Sequence, residues 1–364
     1  MNDKIFTSRD VTVTISTRGR YFTTLPLCII AICNQTVTPK KFILFDDNEN
    51  KKDLREESIY KNIFALLTVK NIEWEVVLGL GQGQVKNHQY ALGNKIDGTP
   101  VVNTELLWRM DDDNIPESNV LENLLSIFNS IDNVGAVAGL VLNAKHGVNK
   151  NKLASNKIED IFLGLNQQWF VHDTKSPFQV DHLYSTFLFR KSAATHGYRM
   201  DLSRVGHREE TFFSYEMTRS GWKCIINPNT ITWHFDNPVG GIRDNTTSDM
   251  WHDDEEKFKK QLNDWGIIPN DFAFAVLDCG IGDTALFKTI LPQFIEKNKE
   301  KKIILSVCFP DLFWDFPNLE LISIADAQML MGQGVDNYNV YKWAIDHNLR
   351  GPLIEAFKDI YLKD

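Results

Sequence analysis

No run of apolar residues in this chain is long enough to cross a bilayer. The most apolar early stretch, Leu25 to Cys33, falls far short of the roughly 20 residues a spanning helix needs. The opening MNDKIFTSRD carries no apolar core of the signal-peptide kind. Cysteine is sparse and scattered: Cys28, Cys33, Cys224, Cys279 and Cys308 are odd in number and contain no C-x-x-C pair. That argues against a disulfide scaffold and against a zinc site, and for reduced thiols. Basic clusters are missing too. The net charge is −9 and no block of Lys and Arg stands out, which argues against nucleic acid as the main partner. A single diphosphate remains possible, since a metal or a few local cations can hold one. Internal repeats and low-complexity tracts are also lacking. The expectation is a cytoplasmic protein without a transmembrane segment, and contact with a membrane would be peripheral.

What is present is an ordinary globular composition: 364 residues, 43% hydrophobic and 24% charged. The length suits one large domain and a smaller one. Short β-branched or apolar runs read as strands at Val11–Ser16, Lys41–Phe45, Glu73–Leu78, Glu105–Met110, Gly135–Leu142, Phe187–Arg190 and Cys224–Ile226. Helical patterns fall between them at 23–33, 54–67, 84–94, 119–133 and 211–219. This alternation predicts an α/β fold with a mainly parallel central sheet and ligands at the strand carboxyl ends. The polar, Lys-rich 143–156 reads as a surface loop. The segment 237–254, rich in Gly, Asn, Thr and Asp, reads as a mobile active-site loop, with a structural linker as the alternative. A composition break at 265–271 introduces a second α/β unit, so the expected domains are 1–264 and 265–364.

The strongest chemical signal is Asp111-Asp112-Asp113, directly after the apolar strand that ends in Trp108-Arg109-Met110. Three adjacent carboxylates repel one another and need a cation or full solvation. At a strand end, alternate side chains leave in roughly one direction, so a D-x-D pair can hold Mg²⁺ or Mn²⁺ together with diphosphate oxygens. A solvated acidic turn is the other reading of the tripeptide alone. The G-x-G-x-G of Gly79 to Gly83 lacks both the dinucleotide spacing and the P-loop ending, and reads as a turn beside a pocket.

Three segments occur in order: Val11 to Arg18, Phe45-Asp46-Asp47-Asn48, and Asp111-Asp112-Asp113-Asn114. Together they resemble family 2 glycosyltransferases of the GT-A fold over roughly residues 10 to 240. The resemblance implies that Asp47 recognises the nucleotide base, that Thr17 and Arg18 line its pocket, and that Lys86-Asn87 lies near the donor. It places Asp111 and Asp112 against the donor and makes Asp113 the direct ligand of Mn²⁺ or Mg²⁺, with Asp111 supporting the metal and His234 as a third ligand. The segment His207 to Phe213, continuing to Trp222, resembles the Glu-Asp signature of that family at a helix start. Glu210 then takes the position of the catalytic base, with Glu209 its neighbour and Glu in place of the usual Asp. A carboxylate beside another in a cleft has a raised pKa, which suits a general base. A charged first turn placed for the helix dipole is the alternative. Trp233, Trp251 and Trp169 are candidate stacking platforms for a sugar, with core packing the alternative.

The resemblance implies transfer of a sugar, with inversion, from a nucleotide diphosphate donor (UDP favoured) to a glycan or lipid-linked acceptor, within bacterial surface polysaccharide synthesis. A nucleotidyltransferase that makes the donor and an inactive GT-A scaffold or glycan-binding module are the rival readings. Past the composition break, Gly280 to Leu286 follows a predicted strand and resembles the opening of the heptosyltransferase-like GT-B family. Only the N-terminal half of that family fits the remaining length, so the expectation is a small Rossmann-like module for acceptor binding or interaction.

Overall fold

The computed structural model describes residues 5–48, 50, 52–78, 81, 83–145, 150, 152–236, 240–241, 247–330 and 335–363. Its contacts divide the chain into two compact units, residues 1–150 with 166–266, and residues 151–165 with 267–364. The short segment 151–165 thus packs with the second unit, which sequence patterning gave no reason to expect.

The first unit contains β1 (Val11–Thr17), α1 (Leu25–Cys33), β2 (Lys41–Asp46), α2 (Ser58–Val69), β3 (Glu73–Leu78), α3 (Gln84–Leu92), β4 (Leu106–Asp111), β5 (Asn114–Pro116), α4 (Val120–Ser130), β6 (Val134–Leu142), β7 (Phe178–Val180), β8 (Phe187–Arg190), α5 (Glu209–Arg219), β9 (Lys223–His234) and α6 (Ser248–Asp264). The sheet runs β3-β2-β1-β4-β8-β6-β9-β5, and β7 also pairs with β9. Strands β3, β2, β1 and β4 are mutually parallel. Beyond them β8 runs antiparallel to both β4 and β6, while β6 and β9 are parallel. The α/β class and the parallel block stand as the alternation of strands and helices predicted.

Side-chain alternation along each strand builds two cores, one per face. On β4, Leu106, Trp108 and Met110 face the core that also holds residues of α1, α2 and α4, together with Val11, Val13 and Ile15. Leu107 points to the opposite face and packs with Ile43, Phe45, Phe213 and Met217. Arg109 shares that second face by the same period of two, so a guanidinium lies at the heart of an apolar layer. There Tyr198 stacks on Phe213 at 4.0 Å and 7°, a contact worth about 0.5–1.5 kcal/mol beyond its buried area. Close approach fixes one glycine: a Cβ on Gly139 would lie 2.5 Å from the Thr230 carbonyl, where the β6–β9 register shifts.

Two expectations change here. The short strand at 224–226 and the segment carrying Trp233-His234 form one continuous strand, β9. In the stretch read as an active-site loop, residues 237–239 and 242–246 lie outside the described residues, and 248–254 belong to α6. The helix forms because Asp254, Phe258 and Leu262 recur at i, i+4 and i+8 and are all buried, a stripe that the polar composition around it masked. The run Gly79 to Gly83 also lies partly outside the described residues.

The second unit contains β10 (Phe272–Leu277), α7 (Ile281–Lys297), β11 (Lys302–Val307), β12 (Glu320–Ile322), α8 (Ile324–Gln328), α9 (Val340–Asp346) and α10 (Leu353–Tyr361). Its strands form a parallel sheet in the order β10-β11-β12. Phe287, Phe294, Phe357 and Tyr361 pack edge to face in its core. Gly280 caps α7 with φ −66°, and a Cβ on Gly282 would meet nothing within 4 Å. Neither glycine is therefore demanded by the backbone, and their spacing carries less meaning than it does in a phosphate-binding turn.

Candidate active site

Strand register brings Thr17-Arg18, Asp46-Asp47 and the acidic triple to one edge. Ser16 pairs with Asp111 and Thr17 with Asp46, so the carboxyl ends of β1, β2 and β4 lie side by side. Parallel strands with crossover helices open their ligand cleft at this end.

At the β1–β2 end sits Asp47. Its Oδ1 accepts from the Gly83 amide at 3.1 Å and from Asn87 Nδ2 at 3.3 Å, and its Oδ2 lies 3.9 Å from the Arg18 guanidinium. Arg18 also donates to the Asp47 carbonyl at 3.1 Å. Burial pushes the Asp47 carboxyl up, and the amide, Asn87 and Arg18 pull the other way. Asn87 donates to Ser16 Oγ at 2.8 Å as well. Lys86, by contrast, stands exposed on α3, outside this hydrogen-bonded group.

Around the acidic triple the three carboxylates part company. β4 ends at Asp111, and Asp112 and Asp113 form a turn, so the strand alternation expected for a D-x-D pair does not apply. Asp111 Oδ2 accepts from Ser185 Oγ at 2.7 Å. Asp112 is buried and accepts from Thr17 Oγ1 at 2.7 Å and from the Arg18 amide at 3.3 Å. Arg20 then joins the pair: one Nη1 lies 2.7 Å from Asp112 Oδ1 and 2.7 Å from Asp113 Oδ2. Asp113 Oδ2 is also 3.3 Å from His234 Nε2. His234 arrives there because β9 pairs antiparallel with β5, opposite Asn114, and the next amide, that of Phe235, donates to the Asp113 carbonyl at 2.9 Å. Burial pushes the Asp112 carboxyl up to about 6, against the pull of Arg20. Asp113 goes the other way: burial would raise it, but His234 and Arg20 hold it below the usual carboxylate range. Burial would lower His234, and Asp113 outweighs that and raises it.

A divalent cation has only a partial set of ligands in this arrangement. Asp113 and His234 are close enough to share one, yet no group of three or more His, Cys, Asp or Glu side chains able to hold a metal exists among the described residues. The charge between Asp112 and Asp113 is already met by a guanidinium. As they stand, these residues form an arginine clamp on two carboxylates.

The second cluster lies under β4. Arg109 Nη1 donates to Glu209 Oε2 at 2.9 Å and Arg109 Nη2 lies 2.7 Å from Glu209 Oε1 as an ion pair, and both side chains are 0% exposed. Glu210 Oε1 is 3.6 Å from the same Nη2 and keeps 18% exposure. Burial and then the neighbouring Glu209 charge push the Glu210 carboxyl up to about 8, against Arg109. Glu209 is therefore tied up as the counter-ion of Arg109, and of the two only Glu210 has an open edge. The turn that delivers them is tightly specified. Gly206 has φ +64° and a Cβ there would lie 2.6 Å from Val85 Cγ2, while Arg208 takes φ +67° as the N-cap of α5.

Residues that sequence reasoning passed over hold that turn. Asp254 of α6, fully buried, accepts from Ser203 N at 2.7 Å, Ser203 Oγ at 2.8 Å and His207 N at 3.0 Å. Its neighbour Glu255 meets His207 Nε2 at 2.7 Å and Arg208 Nε at 3.0 Å. Burial would raise Glu255, but these two partners hold it down at about 2. Arg20 was likewise missed. Its place beside Arg18 in a turn was visible, but its two acidic partners lie more than ninety residues away.

The proposed stacking residues separate. Trp233 faces away from His234, donating to Glu117 Oε1 at 3.2 Å, and Trp251 packs on the His207 ring at 5.1 Å. Trp169 lies 5.2 Å from the Tyr184 ring.

No protein-family model matches the chain, and no curated protein matches it either. Among solved structures it is similar to GalNAc-T7 crystallised with UDP, GalNAc and Mn²⁺, at 14% identity and a TM-score of 0.45. That match covers 64% of this chain and 44% of the other, so the chain spans less than half the length of that protein. It is also similar to S. aureus TarS in complex with UDP-GlcNAc, at 11% identity and a TM-score of 0.47, covering 79% of this chain and 72% of that one. Likeness at this level leaves the chemistry to the residues themselves.

Proposed function

We propose that the first unit is a glycosyltransferase that moves a sugar from a nucleoside diphosphate donor, UDP favoured, to a hydroxyl of a glycan or glycolipid. The observation that carries this reading is the division of labour along one sheet edge. A polar cluster of Asp47, Arg18 and Asn87 lies at the β1–β2 end, the Arg20-clamped acids lie at the end of β4, and the partly exposed Glu210 lies beyond them. The first suits a nucleotide base, whose ring nitrogens and carbonyls ask for directed donors and acceptors. The second is where charge must be managed as a diphosphate leaves.

In the proposed step the acceptor oxygen attacks the anomeric carbon as its bond to the diphosphate oxygen breaks. Glu210 takes the acceptor proton, and the diphosphate departs with the bonding electrons. A carboxylate raised to about 8 is a far better proton acceptor than an ordinary one. Arg109, 3.6 Å from Glu210, keeps the carboxylate oriented and limits how far its pKa rises. One displacement of this kind inverts the anomeric centre. A divalent cation, if the protein uses one, would enter at Asp113 and His234, and no step here depends on it.

The test is donor hydrolysis across a panel of nucleotide sugars, with Mn²⁺ or EDTA, alongside Glu210→Gln. Slow turnover of one donor, lost in the variant while nucleotide binding persists, supports the reading. Absence of nucleotide binding across the panel sinks it.

A further inference from the structure

The fixed charge at the acidic triple belongs to the protein itself, and its position has consequences for ligand binding. Arg20 Nη1 sits 2.7 Å from both Asp112 and Asp113, with 13% of its side chain exposed. Backbone closes over it from the other side. A Cβ on Gly241 would lie 2.8 Å from Arg20 Nη2 and 3.0 Å from Cζ, and one on Gly240 would lie 3.0 Å from Arg20 Cγ. Both glycines have positive φ, and the Gly241 amide donates to the Arg18 carbonyl at 2.6 Å. Only glycine permits this approach, so the guanidinium is held between two carboxylates and a strip of bare backbone. A guanidinium does not lose its proton in a protein, so raising the pH does not open this clamp. While the carboxylates are ionised it opens to a competing charge, either a cation that replaces it on the carboxylates or an anion that draws it off them.

We propose that Arg20 is a movable ligand for the donor diphosphate. In the nucleotide-free protein its guanidinium closes Asp112 and Asp113 against divalent cations, and a diphosphate releases those carboxylates by taking the guanidinium for itself. Planar two-point pairing makes arginine well suited to either partner, carboxylate or phosphate. The coupling follows from mass action: a site whose open form is a minor population binds its cation weakly in proportion, and whatever raises that population strengthens binding. This rests on the transferase reading for the identity of the anion, but not for the competition between Arg20 and a cation.

Mn²⁺ binding to the whole protein is measured by electron paramagnetic resonance, without nucleotide and with saturating UDP, for the native chain, Arg20→Met and Arg20→Lys. The native chain is expected to bind free Mn²⁺ about ten-fold or more weakly than Arg20→Met, with Arg20→Lys between them. UDP is expected to raise Mn²⁺ affinity more in the native chain than in Arg20→Met. Equal nucleotide-free Mn²⁺ affinity in the native chain and Arg20→Met overturns the clamp. Should Arg20→Met be unstable, its melting temperature with and without Mn²⁺ decides: rescue by Mn²⁺ larger than any shift in the native chain supports the clamp, and no rescue overturns it. If the Arg20→Met gain appears but UDP binds neither protein, the competition stands and the donor reading falls.

Discussion

Arg109 and Arg20 both sit among carboxylates near the ends of neighbouring strands, yet they are built for opposite purposes. Arg109 is held on Glu209 by one hydrogen bond and a second close ion-pair contact, both side chains wholly buried, and the pair is electrically closed. Arg20 is shared by two aspartates through a single nitrogen, in a cluster that remains under-neutralised and partly open at His234, which is 34% exposed. A closed pair in an apolar layer fixes a shape, because breaking it strands a charge where no water can reach. An under-neutralised cluster at a cleft invites a further ligand. Glu210 shows the boundary between the two: one residue from a structural carboxylate, it keeps an open edge and a raised pKa.

The largest expected effect tests that boundary. Glu210→Gln should lower kcat about 10²–10⁴-fold in a glycosyl-transfer assay, the usual range for loss of a general base. Stability should not fall, because the variant removes a carboxylate that the fold already disfavours in its charged form. Next comes the closed pair itself. Arg109→Met should destabilise the protein by about 3–5 kcal/mol in urea unfolding, since Glu209 is left buried and unpaired. Arg20→Met should cost less by the same measurement, and the reverse order would mean that the Arg20 cluster, and not the Arg109 pair, holds the fold.

A smaller effect is expected in pH dependence. Glu210 must be ionised to accept a proton, so kcat/KM should rise with pH up to about 8 and level off above it. Glu209→Gln removes a charge that raises Glu210 and frees Arg109 to attract it, so the rising limb should move to lower pH. A limb that stays in place would separate Glu210 from the titration. Asp47→Asn should weaken nucleotide binding by about ten-fold, or roughly 1.4 kcal/mol by calorimetry, with kcat little changed. The smallest effect concerns the turn before α5. The folded-state pKa of Glu255 is depressed from 4.5 to about 2, so its contribution is present above 4.5 and fades as pH falls toward 2. Glu255→Gln should therefore narrow the difference in melting temperature between pH 6 and pH 3.

Much of the site was legible because its signals are local. An apolar strand followed by Asp111-Asp112-Asp113 marks a strand end with a charge problem, whatever the fold around it. Thr17 and Asp47 lie at strand ends that the register sets side by side, and Asn87 reaches Ser16 and Asp47 from α3. The D-x-D pair departs from strand alternation because β4 stops at Asp111, and a turn brings Asp112 and Asp113 to Arg20. Glu209 and Glu210 are adjacent in sequence and equal in chemistry. Only the strand face that carries Arg109 makes one a buried counter-ion and leaves the other open. Lys86 fits the motif order but points outward, which helix position decides and composition does not.

Short-range periodicity and backbone sterics are enough to set the alternation of strands and helices, the two faces of each strand and the placing of acids at strand ends. Which acid meets which cation depends on the folded arrangement. Arg20 with Asp112 and Asp113, Arg109 with Glu209, and Asp254 with the 203–207 turn are each joined across long stretches of chain. Such pairings are selected when the sheet and its covering helices close, since only then does desolvation make an unmatched charge too costly to leave alone.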